Sequence, residues 1–159
     1  MIDQIAKGAK EGKSNMEYIF HANVEADPDG GFLVTFPDVP EAITHGEDMQ
    51  EALANGSEAL GLALRGYVAD GKVLPHPVSR GGENGVEIPV EASDALKLAV
   101  IAAFNDAKIS KTELARRLGK METEARRILD PDHPTKLPLL EAALAVLGKQ
   151  VVVTIRDAA

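Results

Sequence analysis

Residues 17–36 read EYIFHANVEADPDGGFLVTF, and this stretch decides the fold of the first half of the chain. The runs at 17–25 and 31–36 are rich in β-branched and aromatic residues, which is typical of strands. Between them lies a turn sequence, residues 26–30, in which proline fixes φ and glycine permits a positive φ. The stretch therefore predicts a β-hairpin.

The chain that follows predicts a third strand and then a helix. A short run at 42–45 is suited to a third antiparallel strand. Over residues 48–69 the apolar side chains recur at spacings of three and four, which places them on one helix face. Asp48 is suited to cap this helix, with Glu51 three residues later completing a capping box, and Asp70-Gly71 ends it.

The helix is followed by a loop and one more strand. Residues 72–85 contain two prolines and several glycines and predict a loop or linker, and residues 86–90 predict a strand. Pro89 restricts that strand to the edge of a sheet or to its own end. We therefore expect a first domain of type β-β-β-α-β over residues 16–90, preceded by a flexible extension at 1–15.

The second half, residues 91–159, is predicted to be helical. Ser93 is suited to cap a helix that runs to about Asn105, and short helices are expected at 111–118, 122–129 and 137–147. A β-branched run after Gly148 predicts a terminal strand, which needs a neighbouring strand to pair with. Its residues are Val151, Val152, Val153, Thr154 and Ile155. The predicted fold class is α+β.

Composition excludes several classes of protein. The 159 residues are 45% hydrophobic and 26% charged, with a net charge of −8 and no cysteine. The lack of cysteine excludes disulfides, thiolate metal sites and a thiol nucleophile. No apolar run is long enough for a membrane span or a signal peptide. We expect a soluble, cytoplasmic protein without a membrane partner.

The negative charge is confined to one half of the chain. Residues 1–84 hold 14 acids and 6 bases, whereas residues 85–159 hold 11 of each. Within residues 108–136, eight bases stand against five acids. This asymmetry favours two modules with different partners, although basic residues on short helices can also be merely solvated.

Residues 111–130, KTELARRLGKMETEARRILD, have the spacing of a helix-turn-helix. Ala115 allows two helices to cross closely, and Gly119 can end the first of them with a positive φ. The alternative is a helical hairpin in which the two residues serve packing only. If the motif binds DNA, the second helix lies in the major groove. The predicted base-reading residues are Thr123, Arg126 and Arg127, and the predicted phosphate contacts are Lys120 and Arg116.

An ordered set of short motifs resembles the HicB antitoxin family. The first half of the set lies between Tyr18 and Val78 and includes GGFxVxFPD at 30–38 and EALxNxxEAL at 51–60. The segments at 113–119 and 129–136 resemble the helix-turn-helix class of that family. The resemblance implies a partial RNase H-like domain that binds and masks a HicA-type mRNA-cleaving toxin. It also implies a DNA-binding domain that represses its own operon.

The acidic first half is complementary in charge to a toxin that binds RNA and must therefore carry a basic face. Candidates for toxin contacts are four acids in or near the hairpin turn, Glu25, Asp27, Asp29 and Asp38, each of which can also be a solvated turn residue. A metal-dependent nuclease would need such carboxylates to converge on cations, but turn segments are poorly suited to a rigid ligand set. The four histidines are scattered without metal-ligand spacing.

The sequence thus predicts a non-enzymatic antitoxin and autorepressor, with no catalytic residue, metal or cofactor. Its expected partners are a HicA-type toxin, operator DNA and further copies of itself. We expect a homodimer or higher homo-oligomer in which the strand at 151–155 pairs with its symmetry mate. The alternatives are a ligand-sensing helix-turn-helix regulator without a toxin partner and a metal-dependent RNase H-like nuclease.

Overall fold

The first half forms a four-stranded antiparallel sheet in a computed structural model of the chain, which describes residues 15–83 and 85–158. Its strands are β1 (Ile19–Ala26), β2 (Phe32–Thr35), β3 (Ile43–Gly46) and β4 (Gly85–Pro89), in the spatial order β3-β2-β1-β4. The predicted hairpin and third strand are confirmed. Pro89 is the last residue of an edge strand, as its missing N–H requires.

Turn chemistry fixes the register of the β1–β2 hairpin. Gly30 and Gly31 have φ of 107° and 76°, which L side chains rarely adopt. The N–H of Asp27 donates to the carbonyl of Gly31 at 3.0 Å and closes the turn. Val24 then lies opposite Val34, with both side chains buried. One face of the sheet is therefore apolar.

Helix α1 (Met49–Ala69) covers that apolar face. The predicted cap is confirmed, since the Asp48 carboxylate accepts from the N–H of Glu51 at 2.8 Å. Glu51 in turn accepts from Glu47, one residue before the cap, at 2.7 Å. The helix approaches the sheet closely at Gly56, where an added Cβ would lie 2.9 Å from Cδ1 of Ile88.

The second half contains four helices, α2 (Ala92–Ala107), α3 (Lys111–Leu118), α4 (Glu122–Ile128) and α5 (Leu137–Val146). The three short helices lie where they were predicted. The prediction that Ser93 caps α2 was wrong, because the capping position is occupied by Glu91 and Ser93 lies in the first turn. The N–H of Val90 donates a hydrogen bond to the carbonyl of Tyr18, the residue before β1, so the chain passes from sheet to helix within two residues.

Helix α2 contributes to more than one hydrophobic core. Leu98 is fully buried in the core beneath the sheet, whereas Val100 and Ala103 are buried in a second core with α5. At its start, the Asp94 carboxylate lies 3.4 Å from the Arg65 guanidinium of α1. The boundary expected between residues 90 and 91 thus lies immediately before a helix that both halves share.

The predicted terminal strand is not formed in the single chain. Within the described residues 149–158, the chain has no regular secondary structure, because a strand needs a hydrogen-bonded neighbour and this segment has none in the described structure. Val152 and Ile155 are 81% and 88% exposed. Arg156 ties the segment to β4 through Nη1, which lies 2.7 Å from Oε2 of Glu87.

The extension predicted at residues 1–15 lies outside the described residues up to residue 14. Among the helices that the structure describes, none is both long enough and apolar enough to cross a membrane.

Candidate functional site

Helices α3 and α4 are joined by a tight turn at residues 119–121. The Ser110 hydroxyl caps α3 by accepting from the N–H of Glu113 at 3.0 Å. Gly119 ends the helix with φ of 64°, which confirms the positive φ predicted there. Ala115 and Ala125 are both buried where the two helices meet, so their small side chains permit the close approach. Met121, whose side chain is a poor cap, stands at the start of α4.

All five predicted DNA-binding residues are exposed. Thr123, Arg126 and Arg127 are spaced three and four residues apart, so they share the face of α4 opposite the buried Ala125 and Ile128. Lys120 lies in the turn before α4, and Arg116 lies four residues earlier on α3. Exposed arginine, lysine and threonine side chains, which are types that contact base edges and phosphates, thus extend from two consecutive helices and the turn between them.

The arginines of this surface are paired with glutamates of their own helices. Arg116 donates to Glu113 through two nitrogens, at 2.7 and 2.8 Å. Nε of Arg117 donates to the same carboxylate at 3.0 Å. These bonds from Arg116 and Arg117 lower the pKa of Glu113 to about 2.

The same pattern recurs on α4. Nε of Arg126 donates to Glu122 at 3.1 Å, and Arg127 lies 3.9 Å from Glu124. The pKa of Glu122 is lowered, first by a hydrogen bond from Thr112 of α3 and then by Arg126. Exposed pairs of this kind contribute little to stability, so the guanidinium groups can exchange their carboxylate partners for phosphates at small cost.

A buried lysine beneath α4 was missed by sequence reasoning. Lys97 of α2 is 5% exposed and donates to the backbone carbonyls of Arg127 and Ile128 and to the hydroxyl of Thr135. Burial lowers the pKa of Lys97 to about 8, while the Asp130 carboxylate opposes the shift. The available signal was a lysine between two leucines, Leu96 and Leu98, in a stretch, residues 95–104, that is otherwise apolar.

The outer face of the sheet, opposite α1, is only partly covered. It carries side chains such as Asn23, Thr35 and Ile43, and a shallow depression lies between them and the segment after β2. The surrounding chain is strongly acidic, because residues 17–64 contain ten carboxylates and no lysine or arginine. This part of the protein presents a negative surface to any partner.

The four acids proposed for the partner surface have different environments. Glu25 is exposed near the end of β1, and Asp29 is exposed in the hairpin turn. The Asp27 carboxylate accepts from the N–H of Asp29 at 2.9 Å and so stabilises the turn itself.

Asp38 lies apart from the other three and holds the loop after α1. Its carboxylate accepts from the N–H groups of Val78 and Ser79, at 3.1 and 2.9 Å, and from the Ser79 hydroxyl at 2.8 Å. Among the described residues, no group of three or more histidine, aspartate or glutamate side chains is arranged to hold a metal ion.

Comparisons with known proteins agree on one family. A family model described as the HicB-like antitoxin of bacterial toxin-antitoxin systems matches residues 19–99. Antitoxin HicB 1 of Photorhabdus laumondii is 36% identical over 141 residues, covering 89% of this chain and 88% of that protein. Antitoxin HicB of Escherichia coli is 36% identical over 125 residues, which cover 78% and 89% of the two chains. Antitoxin HicB 2 of P. laumondii is 40% identical over 121 residues, covering 76% and 85%.

Proposed function

The chain belongs to the HicB family of bacterial antitoxins, and from this membership we propose that it masks a HicA-type mRNA-cleaving toxin and represses its own operon. The observation that carries the proposal is that the family match, at residues 19–99, falls on the acidic unit of sheet and helix. We assign this unit to the partial RNase H-like domain that the resemblance implies. Its mechanism is occlusion of the toxin, without chemistry of its own.

Charge supports the toxin-binding half of the proposal. A toxin that grips RNA needs a basic surface, and the ten carboxylates at residues 17–64 attract such a surface over several ångströms in water. Attraction of this kind raises the association rate and orients the two proteins before contact. We retain Glu25, Asp27 and Asp29 as proposed contacts. Asp38 is better explained by its three hydrogen bonds to the loop.

The test is co-expression of the full chain with a HicA-type toxin, followed by measurement of association rates. Reversing two exposed charges of the hairpin together, with Glu25→Lys and Asp29→Lys, is expected to slow association at low salt and to matter less at high salt. Glu141→Lys, on the exposed side of α5, is a control for a charge reversal elsewhere on the protein. The assignment fails if the hairpin variant associates as fast as the control.

The exposed face of α4 supports the proposal of operator binding. In a helix-turn-helix the second helix enters the major groove, and its first residues face the base edges. Arginine forms paired hydrogen bonds with guanine there, and threonine can contact either base type or a methyl group. We propose that Thr123, Arg126 and Arg127 read bases, whereas Arg116 and Lys120 contact phosphates.

Alanine substitutions separate these two roles. Arg126→Ala and Arg127→Ala are each expected to cost about 1–3 kcal/mol of operator affinity and to relax the sequence preference. Arg116→Ala and Lys120→Ala should weaken binding to all sequences and reduce the salt dependence by about one phosphate contact. An unchanged footprint and affinity in both α4 variants would exclude them as readers.

We further propose that two copies pair through residues Val151, Val152, Val153, Thr154 and Ile155. A single helix-turn-helix binds weakly, and a dimer matches a near-palindromic operator. Val153 and Ile155 are 76% and 88% exposed in the single chain, so pairing would remove apolar surface from water. Light scattering at micromolar concentration tests this, with Val153→Asp as the disruptive variant. A monomeric wild type would overturn the pairing.

A further inference from the structure

An ammonium group lies in the interior of the second half, against the C-terminal end of α4. Nζ of Lys97 donates to the carbonyl of Arg127 at 3.1 Å, to that of Ile128 at 2.9 Å and to Oγ1 of Thr135 at 2.6 Å. A lysine ammonium has three protons to donate, so each of them has an acceptor here. The group thus joins three elements, α2, α4 and the segment that leads to α5.

Helix α4 is a short element that depends on its surroundings. It has seven residues, about two turns, and helices of this length are unstable on their own in water. Its N-cap position, one residue before Glu122, is occupied by Met121 instead of a capping side chain. The last carbonyls of a helix carry partial negative charge and lack partners within the helix. Lys97 places a positive charge and hydrogen-bond donors at that end.

The charge at this position has a cost in stability. Burial lowers the pKa of Lys97 to about 8, which means that the surroundings disfavour the charged form. An apolar side chain often stabilises a buried position as well as or better than an ion does. Directional hydrogen bonds, by contrast, fix the groups that they join in one arrangement. The role of Lys97 that fits these facts is to fix the position of the C-terminal end of α4.

The helix that carries Lys97 is itself anchored. The next residue, Leu98, is fully buried in the core beneath the sheet, and Asp94 pairs with Arg65 of α1. The hydrogen bonds from Lys97 therefore link the end of α4 to a helix that is packed against the first half of the protein. One of the two carbonyls that it holds belongs to Arg127, whose side chain is a proposed base reader.

We propose that Lys97 is a positioning residue for operator binding, which sets the pose of α4 without touching DNA. The inference rests on the proposed binding of the operator by α4. It predicts that loss of the ammonium weakens binding to the specific site more than binding to DNA in general. Base contacts need accurate placement of α4, whereas nonspecific binding comes from phosphate charge.

The experiment measures binding of the full-length protein to two labelled duplexes by fluorescence anisotropy. One duplex is the DNA immediately upstream of the operon, and the other has the same composition in scrambled order. Lys97→Met keeps most of the apolar stem and removes the donors. Thr135→Val keeps the shape of residue 135 and removes one acceptor. Lys149→Met removes an exposed lysine and is the matched control for the change in charge.

Lys97→Met is expected to reduce the ratio of specific to nonspecific affinity about tenfold, because two charge-assisted bonds to α4 are lost. Thr135→Val should reduce this ratio by about threefold, and Lys149→Met should leave it within about twofold of the wild type. Hydrogen exchange should become faster in α4 while α1 keeps its protection.

The ratio distinguishes positioning from a purely structural role. If Lys97 only stabilised the fold, Lys97→Met would lower the active fraction and weaken both duplexes equally, and the ratio would stay constant. That result would overturn the inference while wild-type operator binding stands. If Lys97→Met does not fold, Thr135→Val decides by the same ratio. A wild type that does not prefer the upstream duplex would refute the proposed operator binding, and the inference would fail with it.

Discussion

Replacing Glu124 with glutamine is expected to tighten DNA binding and to steepen its dependence on salt. Glu124 lies in the first turn of α4, with Oε2 3.9 Å from Nη1 of Arg127. The two side chains are 38% and 63% exposed, and such pairs contribute at most about 1 kcal/mol to folding. The variant should therefore fold normally. It removes from the proposed DNA face a negative charge that repels phosphates, and we count this as equivalent to about one more neutralised phosphate.

The size of the effect follows from counterion release. Each additional phosphate that a protein neutralises steepens the slope of log K against log salt by about 0.9 on duplex DNA. At 0.1 M salt, one decade below the 1 M reference, this corresponds to about eightfold tighter binding, and at 0.2 M to about fourfold. Because phosphates are common to all sequences, operator and scrambled duplexes should gain by the same factor.

Anisotropy titrations over a series of KCl concentrations measure both the affinity and the slope. Glu58→Gln, an exposed substitution on α1, makes the same change in net charge far along the chain from α4. A similar gain in both variants would assign the effect to overall charge. An unchanged slope in Glu124→Gln would refute the placement of the first turn of α4 beside the phosphates.

Three further predictions concern the fold. Gly56→Ala and Gly66→Ala gain the same helix propensity, but only the methyl group added at residue 56 meets core side chains. Urea unfolding should therefore show Gly56→Ala to be less stable than Gly66→Ala by about 1–3 kcal/mol, and equal stabilities would contradict the close approach at Gly56. The pKa of Glu113 is lowered to about 2, so the stability that its carboxylate adds relative to Glu113→Gln should be complete above about pH 4.5 and disappear as the pH falls towards 2. Thermal unfolding midpoints of the two proteins that differ by the same amount at all pH values would exclude this linkage. Asp38→Asn should speed hydrogen exchange of the amides at residues 78–79, whereas unaltered protection there would show that the carboxylate does not hold the loop.

Much of the local structure could be predicted because it depends on neighbouring residues. The cap at Asp48 and the end of α3 at Gly119 follow from side-chain and backbone chemistry within a few positions. The exposed face of α4 follows from the helical period, which separates Arg126 and Arg127 from the buried Ala125. The pairing of Arg126 with Glu122 also follows from this period, although it was not predicted.

The remaining features depend on residues that are distant in sequence. The acceptors of Lys97 lie 30 to 38 positions further along the chain, so its neighbours Leu96 and Leu98 indicate burial but do not identify its partners. Asp38 was expected at a partner surface, but the amides that it binds are 40 and 41 positions away. A terminal strand was predicted at 151–155 from β propensity alone, which cannot provide the neighbouring strand that pairing requires.

The shared helix α2 has a consequence for how this architecture can be recombined. Its Leu98 completes the core beneath the sheet, whereas Val100, two residues later, belongs to the core with α5. A chimera joined at residue 90 would combine the sheet of one parent with a helix that evolved to pack against the sheet of the other parent. Exchange of the first half between two such proteins therefore requires a crossover inside the helix, after about its second turn. Gene fusion in nature is subject to the same constraint, so the two halves are expected to change partners less freely than domains joined by a flexible linker.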